Sequence, residues 1–244
     1  MPALALALLL PAGGSAGRGA TKITVFAAAS LTQTLPAIDR HPRYSFAGSD
    51  QLALQIQQGA PADVYAAASP KYTQLLYHNG FLRKPVAFAT NRLIVLVPKS
   101  NPARIRSVYD LRRSGVKVVI GDRTVPIGSY TRQILDALGI ANDVMKNVVS
   151  QATDVKAIVG QVALGQADAG FVYATDARPV ASRTKVIGLP RWARPPIRYE
   201  LGVLKASRNQ AAARAFVQKV LSKRGRTLLR KAGFGLHSKP RPRR

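Results

Sequence analysis

Short apolar, β-prone runs alternate with helix-patterned segments along most of this chain. The runs at 23–26, 64–65 and 93–97 are separated by helical patterns over 52–58 and 72–78. Past Pro98 the rhythm restarts: a strand at 116–120, a helix over 129–138 stopped by Gly139, and a strand at 148–149. A helix over 155–164 stopped by Gly165 and a strand at 170–173 complete the second round. Continuous apolar strands joined through helices predict a mostly parallel sheet covered on both faces. The restart predicts two such α/β units. A proline-rich stretch, 190–196, then leads to a strand at 201–204 and a last helix over 210–221 with apolar residues at helical spacing. With 244 residues, 47% of them hydrophobic, the chain can bury two cores of about 100 residues each.

Residues 2–10 form an apolar run too short to span a bilayer, and the small residues after it suit a signal peptidase. Residues 1–20 are therefore expected to be a signal peptide, and the mature protein periplasmic and soluble. The sequence holds no cysteine, so neither a disulfide framework nor a lipid anchor is expected.

Charge is lopsided: 37 Lys and Arg face 11 acidic residues, of which only Glu200 is a glutamate, for a net charge of +26. The basic residues are spread along the chain rather than interleaved with aromatics, and only residues 239–244 are dense in them. That pattern fits a solvated basic surface better than a nucleic-acid footprint, so no nucleic-acid partner is expected. A basic polyanion binder remains the remote alternative.

In open α/β sheets, ligands bind beyond the carboxyl ends of strands, where helix N-termini offer free N–H groups to anions. Three junctions have that character. Ser30, with Gln33 at capping-box spacing, follows the first strand; Ser49 stands just ahead of a helix; and a turn shaped by Pro126 and Gly128 follows the strand at 116–120. The last lacks the Gly-Lys-Ser/Thr ending of a nucleotide-phosphate loop. His41, His78 and His237 have no partners at triad or metal spacing, and the carboxylates are scattered. No catalytic residue and no enzymatic activity is expected.

The ordered combination of Phe26-Ala-Ala-Ala-Ser30-Leu-Thr, Phe46-Ala-Gly-Ser49, Gln58-Gly-Ala-Pro-Ala-Asp63-Val and the 121–128 loop resembles the molybdate-binding proteins of bacterial ABC transporters. The likeness continues through Ala152-Thr-Asp-Val155, residues 165–177 and Tyr199-Glu-Leu-Gly-Val, and spans 22–236. It implies a two-lobed periplasmic-binding-protein fold of type II with two crossovers and a ligand cleft between lobes. Residues 21–95 and 201–244 would form the first lobe, 99–197 the second, and 96–98 and 198–200 the hinge. It further implies that the hydroxyls and N–H groups of Ser30 and Ser49, the N–H groups of Ile127 and Val155, and the hydroxyl of Tyr173 hold molybdate or tungstate. They would do so through its oxygens, without direct metal ligands and without a cofactor. The expected partner is the membrane permease of an ABC importer, and the expected state a monomer. A sulfate- or other oxyanion-binding transport protein is the alternative within the class.

Neutral donors can replace the water shell of a dianion, each contributing about 1.5–3 kcal/mol toward a charged acceptor. Such a site favours fully deprotonated oxyanions and would reject sulfate by size. Asp63, Asp122, Asp168 and Asp176 are expected to be turn or cap residues. Three features set this chain apart from the pattern. Only 19 positions separate Ser30 from Ser49, with Pro36 curtailing the helix between them; Ile127 is bulky for its position; and Asp50, if turned inward, would repel an anion.

Overall fold

A computed structural model of the protein describes residues 22–236. The expected signal peptide and the basic tail with His237 lie outside the described residues. In chain order, the first lobe begins with β1 (Thr24–Ala28), α1 (Thr34–Ile38), β2 (Arg43–Ala47), α2 (Ser49–Gln57), β3 (Val64–Ala67), α3 (Pro70–His78) and β4 (Val86–Asn91). The chain then enters β5 (Leu93–Pro98), β6 (Val118–Gly121), α4 (Pro126–Ala137), α5 (Ala141–Lys146), β7 (Val148–Ala152) and α6 (Val155–Ala163). There follow β8 (Ala169–Tyr173), α7 (Ala174–Ala177), β9 (Thr184–Ile187), β10 (Ile197–Val203), α8 (Gln210–Leu221), α9 (Lys223–Ala232) and β11 (Gly235–Leu236).

Two sheets result, ordered β11-β4-β10-β3-β1-β2 and β7-β6-β8-β5-β9. Each has a parallel half, β2-β1-β3 or β7-β6-β8, built by β-α-β crossovers. Each parallel half continues through an antiparallel strand, β10 in the first sheet and β5 in the second. The expected mostly parallel sheets are thus mixed, because a strand contributed after a crossover runs the opposite way. Interior strands β3, β6 and β8 are buried at every position, whereas the edge strand β7 alternates half-buried and exposed residues before ending on buried Ala152.

The chain passes between sheets at Arg92, between β4 and β5, and returns through Pro195 and Pro196 ahead of β10. The expected hinge segments 96–98 and 198–200 instead fall inside β5 and β10, and 93–95 pair in the second sheet. By its place in the sequence rhythm the apolar run at 93–97 closes the first unit; its partners β8 and β9 make it a strand of the second sheet.

Pro36 does curtail its helix, and α1 is five residues long. Behind the sheets, one core runs through both lobes, and a second cluster of Phe26, Leu52, Ile56, Tyr65, Tyr72 and Leu76 packs α2 and α3 against the other face of the first sheet.

Candidate functional site

All six parallel strands point their carboxyl ends at one small cavity between the lobes. Ala28, Ala29 and Ser30 follow β1; Gly48 and Ser49 follow β2; Ala68 follows β3; Val125, Pro126 and Ile127 follow β6; Asp154 and Val155 follow β7; and Tyr173 ends β8. The structure therefore brings Ser30, Ser49, Ile127, Val155 and Tyr173 together around one space. Its volume is about 20 Å³, against roughly 10–15 Å³ for a single water. A compact ion fits this scale; a nucleotide or sugar does not. No Lys or Arg lines the cavity.

The hydroxyl groups are arranged by their neighbours. Ser49 Oγ accepts the backbone N–H of Ala68 at 3.1 Å, so its own proton is free to point elsewhere. Ser30 Oγ lies 2.9 Å from the Tyr199 hydroxyl, and Asn91 Nδ2 donates to that same hydroxyl at 3.4 Å. With Asn91 donating to Tyr199 and Tyr199 to Ser30, the Ser30 proton is likewise left over. Tyr173 is 2% exposed, and among the described residues its hydroxyl has no hydrogen-bond partner. Burial pushes the Tyr173 and Tyr199 phenols well above the usual range, keeping both protonated.

Backbone donors complete the lining. Ser49 and Val155 open α2 and α6, and Ile127 is the second residue of α4 behind Pro126. First-turn N–H groups have no carbonyl four residues back, and three helix dipoles bring positive potential to the same space. Asp154 also lines the cavity, but its Oδ1 accepts the N–H groups of Lys156 and Ala157 as the cap of α6. The Ile127 side chain turns toward Gly121, where the missing Cβ admits it: a Cβ there would come 2.7 Å from Ile127 Cγ2.

Contacts across the cleft close the lobes on each other. Asp50 Oδ2 accepts the Thr124 hydroxyl at 2.8 Å, so Asp50 reaches across the cleft and does not line the cavity. The Tyr72 hydroxyl donates to the Thr124 carbonyl. Gly48 lies so near the second lobe that a Cβ would come 2.7 Å from the Thr153 carbonyl oxygen and 3.0 Å from Val125 Cγ1.

Asp122 does tie a turn, accepting the backbone N–H of Thr124 two residues on; Asp63 and Asp168 instead accept the N–H groups of Thr24 and Lys117, 39 and 51 positions away, and so join segments distant in the chain. Asp176 departs from the expectation of a turn or cap as well. It is 1% exposed and ion-paired to Lys156 at 2.6 Å; burial raises its carboxyl above the usual range, with Lys156 working against the rise. Sequence reasoning also missed Tyr199, Asn91, Tyr72 and Thr124. Tyr199 and Thr124 stood inside recognised blocks without a role; Asn91 and Tyr72 carried no local signal, since these partners of theirs lie 52–108 positions away. Among the described residues, no group of three or more His, Asp or Glu could hold a metal ion.

A family model for bacterial extracellular solute-binding proteins matches residues 23–235. The molybdate-binding protein ModA of Mycobacterium tuberculosis is 39% identical over 236 residues, 92% of this chain and 89% of that protein. ModA of Escherichia coli is 30% identical over 250 residues, covering 93% and 94%. Among solved structures, the periplasmic molybdate-binding protein of Azotobacter vinelandii superposes with a TM-score of 0.79 at 22% identity, over 89% of this chain and all of that one. The sulfate-binding protein SubI of Mycobacterium tuberculosis gives 0.74 at 20% identity, over 88% and 86%.

Proposed function

Because the chain belongs to the bacterial extracellular solute-binding protein family, we propose that its interlobe cavity captures molybdate or tungstate and delivers it to the membrane permease of an ABC importer. The protein is a binding protein with the two-lobed periplasmic-binding fold, not an enzyme. The oxyanion is cargo, and no cofactor takes part.

The observation that carries this reading is the Tyr173 hydroxyl, buried and unpartnered in a cavity where two serine oxygens already accept hydrogen bonds. A buried polar group without a partner costs about 1–3 kcal/mol, and an anion in the cavity repays that cost. In this reading Ser30, Ser49 and Tyr173 donate O–H groups, and Ser49, Ile127 and Val155 donate N–H groups. Every donor is neutral, so the anion loses its water without an opposite charge beside it, and helix dipoles offset the desolvation. Donors come from both lobes, so an open form would hold only part of the set, and the anion would favour closure by that difference.

Export to the periplasm and a monomeric state belong to the same proposal. Among the described residues, no helix is long and apolar enough to cross a membrane.

Calorimetric titration of anion-stripped protein with molybdate, tungstate and sulfate tests the reading. One-to-one binding of the first two with sulfate silent is expected. Heat from sulfate alone would transfer the site to the smaller oxyanion, and silence from all three would sink the oxyanion reading.

A further inference from the structure

A second recess, of about 320 Å³, opens beside the cavity and shares Ser30 with it. Gln33, Thr34 and Lys231 border it from the first lobe, and Lys156 and Arg178 from the second. This volume belongs to the small-molecule range, and the chemistry differs from that of the cavity: three cations converge here where none lines the oxyanion space. One carboxylate, Asp176, answers them, and it pairs with Lys156. Among the described residues neither Arg178 nor Lys231 has an acidic partner.

Arg178 is seated rather than loose. Its Nη1 donates to the Lys231 carbonyl, and its guanidinium lies against Gly233, where a Cβ would come 3.2 Å from Cζ and Nε. Gly233 ends α9 at φ 98°, a conformation that favours glycine. The turn therefore leaves room for a planar, fixed fork of donors at the rim, with a mobile ammonium from Lys231 beside it.

We propose that this recess is a second anion site that takes a free anion bearing two or more phosphate-type groups, about the size of pyrophosphate. Paired oxyanion groups match a guanidinium fork and two ammonium groups as a single tetrahedral ion does not. Such an anion touches both lobes and holds them closed over the cargo. The site involves none of the oxyanion donors except Ser30 at the shared wall, so it stands or falls separately from the function proposed above.

The test is calorimetric titration of the full chain with inorganic pyrophosphate at moderate salt, with and without saturating molybdate. Lys231→Gln and Arg178→Gln are the comparison variants; Lys231→Gln removes a side chain that makes no hydrogen bond or ion pair among the described residues. The expected result is one-to-one pyrophosphate binding that persists under molybdate, weakens roughly tenfold in each variant, the factor for one charge-assisted hydrogen bond, and slows molybdate release. Three results overturn it: no heat; pyrophosphate displaced by molybdate and lost in Ser49→Ala, which puts it in the cavity; or equal binding by wild type and both variants, which makes it general surface charge. Binding to phosphatidylglycerol vesicles with pyrophosphate silent overturns the free-anion assignment. If the protein takes no molybdate, the contrast between wild type and Lys231→Gln without molybdate still decides the matter.

Discussion

Tyr173, Ser30 and Ser49 present hydroxyl groups to one space, yet their loss has different consequences because their other partners differ. The Tyr173 hydroxyl has none, so Tyr173→Phe is expected to leave stability unchanged or raised while weakening molybdate by about 1.5–3 kcal/mol, roughly ten- to hundredfold. Ser30→Ala is expected to lose a similar amount, with Tyr199 retaining Asn91 as a partner. Ser49→Ala strands the buried N–H of Ala68 as well. It is therefore expected to weaken binding and also to lower Tm, by about 2–4 °C for each kcal/mol lost in a chain of this size. Calorimetry paired with thermal melts reads both quantities; a Tyr173→Phe protein that melts lower and binds normally would mark a structural hydroxyl. The same donors fix the pH response. Burial holds the Tyr173 and Tyr199 phenols protonated well beyond their usual range, and serine hydroxyls and backbone N–H groups do not titrate. Affinity is expected to be flat from about pH 6 to 9, and to fall only where the oxyanion itself takes up a proton. Titrations across that interval check this, and a midpoint traceable to the protein would contradict the neutral-donor site.

At the scale of elements, closure depends on how near the start of α2 comes to the second lobe. Gly48 precedes Ser49, and a Cβ there would press on the Thr153 carbonyl at 2.7 Å and on Val125. The Asp50 carboxylate, at 2.6 Å, can swing aside, but the Thr153 carbonyl is backbone of the facing lobe, so Gly48→Ala is expected to hold the lobes apart by a few tenths of an ångström or more. That would weaken anion binding at least tenfold while each lobe stays folded. Small-angle scattering with and without molybdate reads the closure, and circular dichroism the fold. This dependence on a neighbour across the cleft also marks how far the elements were legible from sequence. The helices over 155–164 and 210–221 emerged within a residue, because their apolar spacing faces a core in their own lobe. Arg43–Ala47 went unnoticed: it is an edge strand, and its residues are only partly buried, so no apolar run marks it. Lys223–Ala232 hid for another reason. Five of its ten residues are Lys or Arg, and it is held by the Ser222 cap and by packing of Gly225 and Leu229. At the site, Ser30, Ser49 and the Pro126 turn were legible because strand-to-helix junctions have local composition. Val155 and Tyr173 came only with the family likeness. The Tyr199–Ser30 bond and the Thr124 contacts across the cleft join residues 52–169 apart, and sequence spacing cannot announce such pairings.

For the whole molecule, charge and recognition are separated in space. The chain carries +26, yet the cavity is lined by no cation. Distributed positive charge acts at long range, raising the rate at which a dianion arrives, and is screened by salt with a Debye length of about 30 Å at 0.01 M and 8 Å at 0.15 M. Donors inside the closed cavity act at contact, away from mobile ions, so they govern how long the anion stays. The two roles predict different salt responses in the two rate constants. Raising ionic strength over that interval is expected to slow association several-fold and leave dissociation nearly unchanged, so that the whole salt dependence of Kd resides in the on-rate. Stopped-flow fluorescence can follow both, since Trp192, exposed to solvent, is the sole tryptophan and its turn, Arg191–Ala193, neighbours α4, which contributes Ile127 to the cavity. If dissociation carried the salt dependence instead, cations would have to lie against the bound anion. The neutral-donor arrangement of Ser30, Ser49, Ile127, Val155 and Tyr173 would then be wrong, and the basic recess around Arg178 would become the primary binding site.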